Sequence, residues 1–193
     1  LLSEFIIKIY YYSGYPFFLL SIFFNKPYIG SYLFSDQESG RERLKIINKI
    51  INSNLKNNRL NILELGVYCG QNTINIYSCL PKMNVNHYCV DIFKEFEISK
   101  KNNTFQYKKI FNSLKNKNVF RLFQHNINSV AKSKKNYSFF IKKMTTKKFF
   151  KHNRIKFDLI LIDASHQFQY VYQDIKSSIK CLNKNGIIIG DDY

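Results

Sequence analysis

Apolar runs that close on glycine and acid residues constrain this chain more than any other feature. Residues 61–73 read Asn-Ile-Leu-Glu-Leu-Gly-Val-Tyr-Cys-Gly-Gln-Asn-Thr, and residues 157–166 read Phe-Asp-Leu-Ile-Leu-Ile-Asp-Ala-Ser-His. A third run, residues 186–193, reads Gly-Ile-Ile-Ile-Gly-Asp-Asp-Tyr. Short continuous apolar runs bounded by turn signals suit strands buried on both faces, as in a parallel sheet. In open α/β sheets, ligands bind beyond the carboxyl ends of the strands. The acids that close these runs are therefore site candidates first and structural residues second.

The remaining pattern alternates helix and strand. Leu44, Ile46, Ile47, Ile50, Ile51 and Leu55 recur at helical spacing over residues 41–55. The glycine turn runs into a helix over residues 72–80. Further strands are expected at residues 86–91, 137–142, 157–163 and 186–190. A helix over residues 168–182 is expected to bury Val171, Ile175, Ile179 and Leu182. Strands alternating with helices predict a parallel sheet. Residues 25–40 hold Pro27, Gly30, Ser35, Asp36 and Gly40 and read as a linker. This gives an N-terminal apolar and aromatic segment with its linker, 1–40, and an α/β domain, 41–193. The chain begins at Leu1 and stops directly after Asp191-Asp192-Tyr193, so it is expected to be a piece of a longer protein.

Charge and cysteines narrow the partners. The net charge is +17, and from Ile98 to Phe157 there are 17 Lys and Arg and no Asp or Glu. Such a stretch attracts nucleic acid, anionic lipid or acidic substrates. A plain compositional bias toward Lys and Asn also accounts for it. The uncharged run from Ile9 to Phe24 is 16 residues long and carries Gly14 and Pro16. That is short of the roughly 20 residues of a membrane span. A docking helix or hairpin is expected there, with a peripheral membrane contact of residues 1–24 as the minority alternative. Cys69, Cys79, Cys89 and Cys181 form no C-x-x-C pair, which argues against zinc. Three lie in apolar patterns and read as small buried hydrophobes, while Cys69 in the glycine turn reads as more exposed to ligand. Nothing signals an oxidising compartment, and a cytoplasmic location is expected. His87, His125 and His152 have no partner spacing and read as structural or surface residues.

The glycine turn spaces Gly66 and Gly70 as G-x-x-x-G. Gly66 lets the chain turn sharply after the strand, and Gly70 lets a ligand approach the backbone where the helix starts. A nicotinamide-dinucleotide turn reads G-x-G-x-x-G, and a P-loop has Lys after its last glycine; neither occurs here. Asp91 ends the next strand, roughly 20 residues on, where an acid meets ribose hydroxyls in dinucleotide folds. A helix N-cap is the structural alternative for that Asp.

Glu64-Leu-Gly-Val-Tyr-Cys-Gly70 together with Asp91 resembles the S-adenosylmethionine site of class I methyltransferases. Ile162-Asp-Ala-Ser-His166 followed by Gly190-Asp-Asp-Tyr193 is similar to the macrocin O-methyltransferase-like group. Ala164 and Asn185-Gly186 stand where that group has a glycine and a glycine pair. The resemblance covers residues 41–193. It implies a Rossmann-like, doubly wound, mainly parallel sheet of order 3-2-1-4-5, with the last two strands of a seven-stranded sheet missing. It implies S-adenosylmethionine as cofactor, with Glu64, Gly66, Tyr68, Gly70, Thr73 and Asp91 around it. Gln71 and Asn72 would reach its methionine end, and Met144 to Thr146 would flank its adenine.

In that topology the fourth and fifth strands end side by side, bringing Asp163 next to Asp191 and Asp192. Three adjacent carboxylates repel one another, and a divalent cation relieves the repulsion. Oxygen ligands suit magnesium. His166, three residues after Asp163, suits a general base, because unperturbed imidazole titrates near 6.5. The resemblance assigns magnesium to the three aspartates and the base role to His166, with Asp163 beside it. The expected reaction is methyl transfer to a hydroxyl of a sugar or other small polyhydroxylated molecule. A nucleic-acid methyltransferase ranks second, and a truncated, non-catalytic cofactor-binding domain is a further alternative. A dehydrogenase ranks below these. The oligomeric state is left open.

Overall fold

The structure, a computed structural model, describes residues 14–28, 40–54, 59–80, 83–94, 118–131 and 135–190. Its chain falls into two compact units. One comprises Leu1–Gly40, Tyr68–Gln71 and Phe93–Val130, and the other comprises Arg41–Val67, Asn72–Ile92 and Ala131–Tyr193.

The second unit carries the sheet. Strands β1 (Arg59–Leu65), β2 (Asn84–Asp91), β3 (Tyr137–Lys143), β4 (Phe157–Ile162) and β5 (Leu182–Gly190) stand in the order β3-β2-β1-β4-β5. Every neighbouring pair is parallel. This is the expected order. The central strands β1 and β4 are almost wholly buried, as their unbroken apolar runs require. Residues on successive positions of a strand face opposite sides, so each strand supplies two layers. On one side, Phe149 from helix α5 (Thr146–His152) joins Leu63, Leu65, Val90, Phe157, Ile160 and Ile162 in a core. On the other, Tyr77 from helix α3 (Gln71–Cys79) packs edge-on to Tyr137 at 4.9 Å and stacks on Phe139 at 5.9 Å. Helix α2 (Gly40–Asn54) buries Ile47 and Ile51.

Helix α6 (Phe168–Cys181) departs from expectation. It buries Val171, Asp174 and Ser178, while Ile175 and Ile179 are exposed. Leu182 is not in the helix but opens β5. Positions 171, 174 and 178 are also at helical spacing, so the inward stripe is rotated from the purely apolar one. A hydrogen bond from the Thr146 side chain meets Asp174, so an acid on that stripe has a partner. β5 starts four residues before the expected Gly186. A register shift between Phe157 and Leu159 and a left-handed Asn185 (φ 68°) mark a bulge within it. Gly186 belongs inside the strand because a Cβ there would lie 2.9 Å from the Phe157 carbonyl oxygen.

The first unit is held by aromatic rings. Helix α1 (Tyr15–Phe23) sets Phe18 edge-on to Tyr28 at 5.5 Å. Helix α4 (Asn118–Ala131) brings Phe120 and Phe123 within 4.7 and 5.2 Å of the Phe93 ring. Most of the expected linker, residues 29–39, lies outside the described residues.

Candidate functional site

Three strands of the second unit end together at their carboxyl side. Gly66 follows β1 with φ at +81°, a conformation that L side chains rarely adopt. A Cβ there would lie 2.0 Å from the Asp163 carbonyl oxygen, so only glycine lets β1 and the β4 exit approach this closely. The Gly66 N–H donates to the Val90 carbonyl at 2.8 Å, and the Asp163 N–H donates to the Leu65 carbonyl at 2.8 Å. The next donor, Val67 N–H, goes to Asp91 Oδ2 at 3.0 Å. Asn72 Nδ2, in the first turn of α3, stands 3.5 Å from Asp163 Oδ2. The turn thus links the half-buried carboxylates of Asp91 and Asp163 on the two strands flanking β1. Met144 N–H donates to the Asp91 carbonyl at 3.0 Å, which fixes the loop after β3 at the same end of the sheet.

Behind the turn lies a buried polar chain. Glu64 Oε2 accepts the Thr73 hydroxyl at 2.7 Å and faces His87 Nε2 at 3.1 Å. His87 Nδ1 in turn meets the Tyr137 hydroxyl at 2.8 Å. Thr73 and His87 are 0% exposed and Glu64 is 1% exposed. The chain pins β1 to α3, β2 and β3. Glu64 and Thr73, expected beside the cofactor, are thus closed to solvent and bonded to each other. Their geometry holds the strand, turn and helix in place. Cys89 pairs with Glu64 in the β1–β2 register and shares its face. Burial, then the nearby Glu64, pushes the Cys89 thiol well up, against a hydrogen bond from Thr73. The Tyr137 phenol is also pushed up, first by burial and then by its neighbours Cys89 and Glu64. Glu64, His87 and Cys89 keep their donor atoms within 4.8 Å, a spacing that could hold a metal ion. Glu64 Oε2 and His87 Nε2 already face each other within that group.

In the first unit, Tyr68 (φ 47°) and Gly70 (φ 85°) give the rest of the turn its left-handed bends. Cys69 is 1% exposed, so the thiol expected to be more open to ligand is buried. Its carbonyl accepts from Asn126 Nδ2 at 2.8 Å. Asn126 also donates to the Tyr28 carbonyl at 3.0 Å and accepts the Tyr28 N–H at 2.7 Å. One buried amide therefore ties the turn to the segment after α1. Sequence reasoning passed over Asn126, and it read His87 as structural or surface without finding its partners. For His87 a signal existed: Val85, His87 and Cys89 alternate along β2, which puts a polar residue on the face that meets Glu64.

Of the expected metal and base residues, Asp163 stands half-buried after β4, and His166 is exposed on the way to α6. Ile162 pairs with Gly190, so β4 and β5 reach the edge of the sheet level with each other. Asp191 and Asp192 lie outside the described residues. A groove of about 370 Å³ lies between α5 and α6, among Lys147, Phe150, Tyr170 and Asp174. Gly66, Asp91, Asp163 and His166 do not line it.

A family model described as a methyltransferase domain matches residues 63–193. The chain belongs to this methyltransferase family. The matched span begins inside β1 and takes in the glycine turn, Asp91, Asp163 and His166. The fold also agrees with that of a solved structure. CalS11, a calicheamicin methyltransferase, superposes with a TM-score of 0.51 at 12% identity, over 81% of this chain and 65% of its own. A Staphylococcus aureus protein assigned as a caffeoyl-CoA O-methyltransferase gives 0.46 at 17% identity, over 98% of this chain and 73% of its own. No curated protein matches the sequence. The domain is thus a class I, S-adenosylmethionine-dependent methyltransferase domain, with the five-stranded parallel order of that class. Among the described residues no helix is long and apolar enough to cross a membrane.

Proposed function

We propose that this domain methylates a hydroxyl of a sugar or other small polyhydroxylated molecule, with S-adenosylmethionine as donor and magnesium as helper. The observation that carries the reading is that Asp91, held by the Val67 N–H, and Asp163, whose backbone packs on Gly66, set two half-buried carboxylates at the ends of the two strands flanking β1. The residues fit a nucleoside cofactor. A carboxylate at the end of β2 accepts ribose hydroxyls, and the left-handed glycines leave the turn backbone bare. They also fit a hard cation, because Asp163, Asp191 and Asp192 offer only oxygen.

When bound, S-adenosylmethionine supplies an activated methyl group and magnesium lowers the pKa of a coordinated hydroxyl. Asp91 would hold the ribose. The resemblance also assigns Tyr68 and Gly70 to the cofactor, and Glu64 with Thr73 would keep β1 and α3 rigid. Asp163, with Asp191 and Asp192, would hold the cation and orient the acceptor. His166 would take the acceptor proton at a ring nitrogen. The acceptor class and the base role rest on the motifs Ile162–His166 and Gly190–Tyr193.

The test is transfer of labelled methyl groups to nucleotide sugars and vicinal diols, with and without a chelator. Methylated hydroxyls and chelator sensitivity are expected, and His166→Ala should lower the rate by about 10²–10⁴. Chelator-insensitive transfer would remove magnesium, and preferential binding of NAD would remove the cofactor assignment.

A further inference from the structure

Helix α1 is built inside out. Its inward side is Phe18 and Ser21, and Ser21 is the one hydroxyl in Pro16–Phe24. The Ser21 hydroxyl donates to the Phe18 carbonyl at 2.7 Å and meets His125 Nε2 at 3.2 Å. The Phe18 ring lies 6.2 Å from His125, and His125 Nε2 also reaches the Lys26 carbonyl at 2.9 Å. The outward side carries Phe17, Leu19, Leu20, Ile22, Phe23 and Phe24, with Phe17 at 66% and Phe23 at 81% exposure. A surface helix ordinarily turns such residues inward and its polar residues outward. Scattered exposed apolar residues mean nothing, but five on one short helix with Phe24 at its end form a contiguous patch, and such patches mark interaction sites.

We propose that this face of α1 docks on an anionic lipid surface, with the helix lying in the plane of the interface. Nine residues rise about 13.5 Å, well short of the roughly 30 Å hydrocarbon core. The helix can therefore enter the headgroup boundary but cannot cross it. Charge selects the occupant. No Asp or Glu occurs from Phe5 to Ser35, Lys8 and Lys26 flank the helix in sequence, and the chain carries +17. An anionic bilayer attracts such a chain, whereas a second copy would bring two like charges of that size together.

The chain has no Trp, so Phe23→Trp installs a single fluorescent reporter on the patch. With vesicles of phosphatidylcholine and phosphatidylserine, its emission should shift to the blue and be quenched by brominated acyl chains. Pure phosphatidylcholine vesicles should bind more weakly, and added salt should weaken the mixed ones. In an otherwise native chain, Phe17→Asp with Phe23→Asp should lower vesicle affinity at least about tenfold. Its melting by circular dichroism should stay unchanged, because both side chains are exposed. No blue shift with mixed vesicles would overturn the proposal. So would equal vesicle binding by the double variant. Self-association that the double variant dissolves, without vesicle binding, would assign the face to a second copy.

Discussion

At the scale of single residues, the strand, turn and helix are held by groups buried behind them. Glu64 is buried with the Thr73 hydroxyl and the His87 ring on one of its oxygens. Removing one member of a buried polar network leaves its partners desolvated and unpaired, which costs more than the bond itself contributes. Glu64→Ala should therefore cost about 1–3 kcal/mol in denaturant unfolding, whereas Glu64→Gln, which keeps an acceptor, should cost clearly less. Equal costs would show that the network does not hold the turn. Asp91 sits on the opposite side of that division. Its carboxylate fixes Val67 N–H, and under the proposed function it also holds the ribose. In calorimetry with S-adenosylhomocysteine, Asp91→Ala should weaken binding by about 1–3 kcal/mol, the scale of charged hydrogen bonds. Unchanged affinity would restrict Asp91 to a structural role. The sequence made Glu64 and Asp91 look alike, as acids near strand ends. What separates them is position: Glu64 precedes the last residue of β1, whereas Asp91 closes β2.

Among the elements, strands were the most legible and helix faces the least. All five strands were visible; β4 and β5 stand out because unbroken apolar runs closed by Gly or Asp have few other uses, whereas β2 and β3 carry polar residues within their runs. Their ends moved by up to four residues, most at β5, where the bulge at Asn185 hides strand character in a polar stretch. The inward face of α6 was misread because Asp174 is inside, at 4% exposure. Burial raises its pKa above the ordinary carboxyl range, and the Thr146 hydrogen bond opposes this only in part. The sign of its effect on stability follows. In the pH interval between the unfolded and folded pKa values the native state holds more protons, so stability falls as pH rises. This group's contribution is complete below the unfolded value and is lost through the folded one. Asp174→Asn should remove that loss, stabilise the domain on the order of 1 kcal/mol at neutral pH and flatten the acid-side slope. Thermal melts across a pH series would check it, and an unchanged slope would count against it.

For the whole molecule, two opposing features set solution behaviour. In the described sheet β5 is an edge strand, and Ile187, Ile188 and Ile189 on it are only half-buried. An edge of this kind offers unpaired backbone groups and apolar side chains to another strand. The net charge of +17 opposes that meeting, since two copies approach as like charges. Salt shifts the balance. The screening length falls from about 10 Å at 0.1 M to about 3 Å at 1 M, while edge pairing gains from burial that screening leaves intact. Charge was legible from composition, but the edge was not, because which strand stands outermost depends on the sheet order that the family resemblance supplied. Sedimentation velocity should therefore show a monomer at low salt and larger species as salt rises. Hydrogen exchange at residues 187–189 should slow in parallel, because edge pairing protects those amides. Phe17→Asp with Phe23→Asp should leave this association unchanged, since neither residue lies on β5. A monomer at every salt concentration, or association without protection of β5, would move the contact elsewhere.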